Sequence, residues 1–126
     1  MNWEVFRTLI HGNLSDDLLD KTHREMRKGN PNLPCTFGHC YVVSEAAYHL
    51  LGGKESGWTP HHIEHIGRSH WYLKHETGQI LDLTASQFHT PINYSEGRGK
   101  GFMTKEPSKR TKVLLSRIGV AVKFIK

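Results

Sequence analysis

The chain has 126 residues, 37% of them hydrophobic, and a formal charge of +5, which is enough for one domain spanning 1–126 to bury a core without disulfides or structural metal. No run approaches the roughly 20 apolar residues of a membrane span, and Met1-Asn2-Trp3-Glu4-Val5-Phe6 lacks the basic-then-apolar layout of a signal peptide, so a cytoplasmic protein with no membrane partner is expected. The charge is one-sided: from Arg98 onward nine Lys/Arg face one acid, Glu106, leaving a basic C-terminal segment of about +8 on a remainder of about −3.

Trp3, Phe6, Leu9 and Ile10 recur at helical spacing until Gly12-Asn13 breaks the pattern, predicting a short first helix. Ser15 reads as the N-cap of a second, surface helix, with Asp16 and Asp17 in its first turn and Lys21, Arg24, Arg27 and Lys28 towards Gly29. Asn30-Pro31-Asn32-Leu33-Pro34 cannot continue a helix and predicts an ordered loop leading into an active-site turn. After Gly38-His39-Cys40, the residues Val43, Ala46, Ala47, Leu50 and Leu51 mark one buried helix face, which Gly52-Gly53 stops.

Ile63 and Ile66 flank Glu64-His65 in a weak strand pattern over 61–66. His70-Trp71-Tyr72-Leu73-Lys74 and Gln79-Ile80-Leu81-Asp82-Leu83-Thr84 then predict a β-hairpin with Gly78 in its loop. If the loop is Glu76-Thr77-Gly78, Tyr72 stands opposite Asp82, and His70 is the diagonal neighbour of Asp82 on the same face, roughly 7 Å away. A two-residue loop would put His70 and Asp82 on opposite faces. The odd loop is expected.

Ala85-Ser86-Gln87-Phe88 predicts a single helical turn. Gly97-Arg98-Gly99-Lys100-Gly101 lacks the spacing and the Lys-Ser/Thr ending of a P-loop and reads as a mobile, substrate-facing loop. Pro107 at N1 predicts a helix to about Arg117, ended by Gly119. Val120–Ile125 alternates as a further strand, a continued helix being the alternative.

Cys40, at the first turn of its helix, meets unpaired N–H groups and the positive end of the helix dipole, both of which favour a thiolate. His70 and Asp82 follow on the hairpin in the order nucleophile, imidazole, carboxylate. Gly-x-Cys before an Ala/Ser-rich helix, then His70-Trp71 on one strand, then Gly78-Gln79-Ile80-Leu81-Asp82-Leu83-Thr84 on the next, resembles the transglutaminase-like branch of the papain-like cysteine enzymes over roughly residues 35–88.

The resemblance implies an α+β fold in which the nucleophile-bearing helix packs on a small antiparallel sheet. It also implies an enzyme with no cofactor and no metal: Cys40 as nucleophile, His70 as general base and then acid, Asp82 orienting His70, and a thioester intermediate. Family members include thiol proteases and other amide hydrolases, deamidases and acyl transferases, so a protein or small-molecule amide substrate is expected and its identity stays open. The oxyanion would be held in part by the Cys40 backbone N–H. Six residues earlier, where papain-like peptidases carry an oxyanion-hole Gln, stands Pro34; Asn32 and Trp58 are the candidate second donors, and His39 a candidate cleft residue that tunes the thiol.

Other readings stay open beside this one. Cys35 and Cys40 could pair as a disulfide, although no export signal favours one, and Cys35 could be the nucleophile. Cys35, His39 and Cys40 with His61, His62 or His65 could hold zinc in a nonenzymatic nucleic-acid-binding module, although the spacing matches no common zinc motif. The same thiol could also serve an acyl- or glycosyl-transfer enzyme. Arg98, Lys100, Lys105, Lys109 and Arg110 are candidate contacts for nucleic acid or another polyanion.

Overall fold

In the computed structural model, which describes residues 2–125 and gives 120–125 by backbone alone, helix α1 (Trp3–His11) starts at Asn2, whose side chain accepts from the N–H groups of Glu4 and Val5. The second helix does not begin at Ser15. Asp16–Leu18 forms a single 3-10 turn, the chain extends at Leu19, and Asp20 caps helix α2 (Lys21–Gly29) by accepting from the His23 N–H at 2.9 Å. Leu18, at the end of the 3-10 turn, and Leu19, in the extended step after it, are both buried in the interior. Arg110 and Arg24 take up the carbonyls of Leu18 and Leu19. The Asn30–Pro34 loop is ordered as expected, with Arg27 donating to the Leu33 and Pro34 carbonyls at 2.5 and 2.6 Å.

Helix α3 (Cys40–Leu50) is more central than one apolar face predicts: Val42 through Ala47 are all buried. Its apolar side packs on the sheet, and helix α4 (Lys109–Ile125) covers another side. There the buried Glu45 accepts from the Ser108 N–H at 2.9 Å, at the start of α4. Ser108, not Pro107, is the residue from which α4 unrolls, since its carbonyl accepts from Lys112. The helix runs through Gly119 instead of giving way to a strand. A glycine costs a helix only about 1 kcal/mol relative to Ala, and Leu114 and Ile118, one turn apart on the same face, are seated in the core.

Strands β1 (Trp58–His65) and β2 (Arg68–His75) form a long hairpin, with β3 (Ile80–Leu81) beside β2 and β4 (Arg98–Gly99) beside β1. All pairings are antiparallel, in the order β3-β2-β1-β4. Leu73 pairs with Leu81 and Lys74 with Ile80; one step further, Tyr72 stands opposite Asp82, the register of a three-residue loop. The Arg98-Gly99 segment is thus not a free loop. It occupies the open edge of β1, and the Lys100 N–H donates to Pro60 at 3.0 Å. Among the described residues the fold is therefore α+β, four helices with a small antiparallel sheet, and no helix is long and apolar enough to cross a membrane. Ile10, Leu18, Leu114 and Ile118 meet α3 from the helical side, Trp58, Leu73 and Leu83 from the sheet side.

The β1–β2 turn contains a strained residue. Ile66 has φ 48° and is exposed, followed by Gly67 at φ 74°. A two-residue hairpin turn demands the left-handed region at both positions, where a β-branched side chain is disfavoured by about 1–2 kcal/mol. Ile66→Asn is therefore expected to stabilise the protein by about 1 kcal/mol, read as a higher midpoint in urea unfolding; an unchanged or lower midpoint would show that the Ile66 side chain offsets the strain.

Candidate active site

Three segments converge on one cleft. Gly38, at φ 73°, turns the chain into α3, and a Cβ there would stand 2.9 Å from Leu19 and 3.0 Å from His23, so both the backbone angle and the close packing call for glycine. Cys40 is then the first residue of α3. The preceding residue, His39, gives no side-chain cap, so the first-turn N–H groups are left without that partner.

From the sheet, His70 and Asp82 meet as the register requires: His70 donates from Nε2 to Asp82 Oδ2 at 2.6 Å, with both side chains buried. That bond leaves Nδ1 for the thiol. Burial disfavours the imidazolium, but the Asp82 carboxylate and the Cys40 thiol outweigh it and raise the His70 pKa to about 9. The thiol itself sits 3.9 Å from the Ser69 carbonyl and close enough to the imidazole to contribute to its raised pKa.

Asp82 is held on every side. Its Oδ2 also accepts from the Tyr94 hydroxyl at 2.7 Å, and its Oδ1 accepts from the Thr84 N–H at 3.2 Å, which explains the chemical value of the Asp-x-Thr spacing. Burial and the adjacent carboxylate push the Tyr94 phenol well above its ordinary range, so it stays a donor. Gly97 makes room for this arrangement: a Cβ there would fall 1.7 Å from the Tyr72 hydroxyl, which donates to the Tyr94 carbonyl.

Gln87 is the residue that sequence reasoning passed over. It lies in the 3-10 turn Ala85–Gln87; its Oε1 accepts from the Gly38 N–H at 3.1 Å, and its Nε2 lies 3.4 Å from His70 Nδ1. Because a backbone N–H can only donate, Oε1 must face Gly38 and the amide NH2 lies towards Nδ1, to which it donates only when that nitrogen has given up its proton. One side chain thereby ties the turn before the cysteine to the histidine. No periodicity marks it; only its place five residues after Asp82, in a predicted turn, gave any signal.

The remaining candidates lie elsewhere. Trp58 pairs with His75 at the far end of β1, five residues from Ile63, the partner of His70, or about 17 Å along the strand; it packs edge-on against Trp3 in the core. Asn32 is exposed in its loop and does not line the cleft. His39 turns inward: it is buried, bonded through Nε2 to the Ser15 carbonyl, and burial lowers its pKa. Neither cysteine is in a disulfide, and Cys35 is exposed.

The zinc set is not gathered either, and among the described residues no three His, Cys, Asp or Glu side chains form a metal-holding group. His62 instead bonds to the Ser69 hydroxyl and His65 to Thr90. Of the basic candidates, Arg110 lines the cleft with Cys40, whereas Arg98 and Lys100 border a second hollow on the β4 side and Lys105 a third, beside Tyr48. Lys109 is exposed at the start of α4.

The cleft over Cys40 encloses about 510 Å3, a volume suited to a small molecule or one side chain of a larger one. Trp71, Phe88, Tyr41 and Met103 give it apolar walls, and Gln87, Arg68 and Arg110 supply polar groups. Compared with protein-family models, curated proteins and solved structures, the chain matches none.

Proposed function

We propose that this protein is a cysteine-nucleophile enzyme that cleaves or transfers the acyl group of an amide through a thioester, on a papain-like, transglutaminase-like core. The observation that carries the reading is the buried His70–Asp82 hydrogen bond of 2.6 Å beside a cysteine that opens a helix. A surface histidine gains little from such a pair, but a buried imidazole that must hold and release a proton needs one.

The chemistry follows from which atoms are free. Cys40 Sγ, as thiolate, attacks the amide carbon, and the C–S bond forms as the carbonyl π electrons move to oxygen. The oxyanion faces the Cys40 N–H at the positive end of α3. The C–N bond then breaks, and the leaving amine takes the proton from His70 Nδ1. Water or an acceptor amine, deprotonated by the same nitrogen, attacks the thioester and returns the thiolate. Asp82 never gives up its charge; it keeps Nε2 protonated and the ring aimed, and Tyr94 and Thr84 keep Asp82 in place.

A chemically activated acetate ester tests this reading. Incubation is expected to add one acetyl group to Cys40, visible by intact-mass spectrometry and peptide mapping and cleared by added amine. Acetylation that falls equally on Cys35, or that persists when Cys40 is replaced by Ala, would overturn the proposal.

A further inference from the structure

Arg68 opens β2 on the same strand face as His70. Its guanidinium lies 4.9 Å from the centre of Phe37 and 5.9 Å from that of Phe88. Both rings belong to the site: Phe37 directly precedes the Gly38 turn, and Phe88 stands edge-on to His70 with centroids 4.9 Å apart. The residue after Arg68, Ser69, supplies the carbonyl beside the Cys40 thiol. Arg68 and Cys40 therefore line one cleft.

Within the cleft, the charge of Arg68 is unspent. Arg7, Arg27 and Arg117 each have a carboxylate within 4.0 Å, whereas among the described residues Arg68 has neither an acidic partner nor a hydrogen bond. The carboxylate that lines the cleft, Asp20, is engaged by His23 at 2.8 Å. A guanidinium resting on aromatic rings keeps its N–H donors in its own plane, directed outward and fitted to a planar two-oxygen partner. Arg110, whose contact with the Leu18 carbonyl uses only one nitrogen, adds a second positive charge to the same cleft.

We infer that Arg68 binds a carboxylate of the substrate, so that the amide presented to Cys40 is a small acidic one. This rests on the reading of Cys40 as the nucleophile. Two parallel N–H···O bonds fix both position and rotation of the bound group, and a fixed carboxylate a few bonds from the carbonyl sets its carbon against Sγ. Arg68 would thereby select acidic over neutral amides, and the small cleft would exclude extended chains.

Two alkylating reagents that differ only in charge test it, with the folded protein at constant ionic strength. In both iodoacetate and iodoacetamide the Cys40 thiolate displaces iodide, forming an S–C bond to a carboxymethyl or a carbamoylmethyl group respectively, and only iodoacetate carries a carboxylate. The readout is the ratio of their rate constants at Cys40. Arg68→Met is expected to lower the iodoacetate-to-iodoacetamide ratio about tenfold, the scale of one charge-assisted hydrogen-bonded contact. Lys74→Gln, which removes one charge about 20 Å along β2, is expected to leave the ratio at its wild-type level.

A ratio in Arg68→Met within about twofold of wild type, or an equal fall in Lys74→Gln, would overturn carboxylate binding while leaving a selectively labelled Cys40 intact. Iodoacetamide that labels Cys40 no faster than Cys35 would instead overturn the nucleophile reading itself.

Discussion

Replacing His70 by Ala is expected to slow acylation of Cys40 by about 10²–10⁴-fold, the range that a positioned proton-transfer group contributes. The other imidazoles nearby are engaged elsewhere: His39 faces the Ser15 carbonyl, His62 faces Ser69 and His23 is held by Asp20. The substitution also removes a partner from a buried carboxylate, which costs about 3–5 kcal/mol when an ion pair loses one member, although Tyr94 and Thr84 still donate to Asp82. Single-turnover acylation is therefore compared at a temperature where circular dichroism shows the variant folded. A folded His70→Ala protein that acylates within about tenfold of wild type would remove His70 from the mechanism.

Asp82→Asn is expected to move the pH dependence more than the fold. In the wild type His70 holds its proton to about pH 9, so kcat/KM should fall on an alkaline limb near pH 9, where the leaving amine loses its acid. Asn keeps the shape and an acceptor oxygen but not the charge, while the burial that disfavours the imidazolium remains. The limb should then move to lower pH, with only the Cys40 contribution left to favour the imidazolium. The sign for stability is the same: a histidine pKa raised on folding contributes fully below about 6.5 and loses that contribution as pH rises to about 9. The shift corresponds to roughly 3 kcal/mol. Wild-type stability should decline across that window in excess of the Asp82→Asn variant, as measured by urea unfolding at pH 6 and pH 9; identical slopes would show that Asp82 does not set the proton affinity of His70.

The hairpin illustrates how far local pattern reaches. Whether His70 and Asp82 share a face is a question of parity, set by loop length, and the observed pairing of Leu73 with Leu81 is the odd-loop register. Cys40 at the first turn of α3 was legible from apolar spacing and glycine placement alone. The second helix was misplaced because Ser15 and Asp20 are both good caps, and only the burial of Leu18 and Leu19 selects Asp20. The terminal strand misled because Val120–Ile125 suits either structure locally, and α4 continues past Gly119.

By itself, then, the sequence determined the helix that begins at Cys40, the hairpin that carries His70 and Asp82 and the face those two residues share, because periods of 3.6 and 2 are local properties of the chain. Only the tertiary structure decided what surrounds them. Gln87 reaches Gly38 across 49 positions, Tyr94 reaches Asp82 from a short 3-10 turn, His39 turns away from the cleft and Arg68 settles on Phe37 and Phe88. These contacts join turns and strand ends, where no period fixes the direction of a side chain, and they exist only once the packed core has brought distant segments to one place.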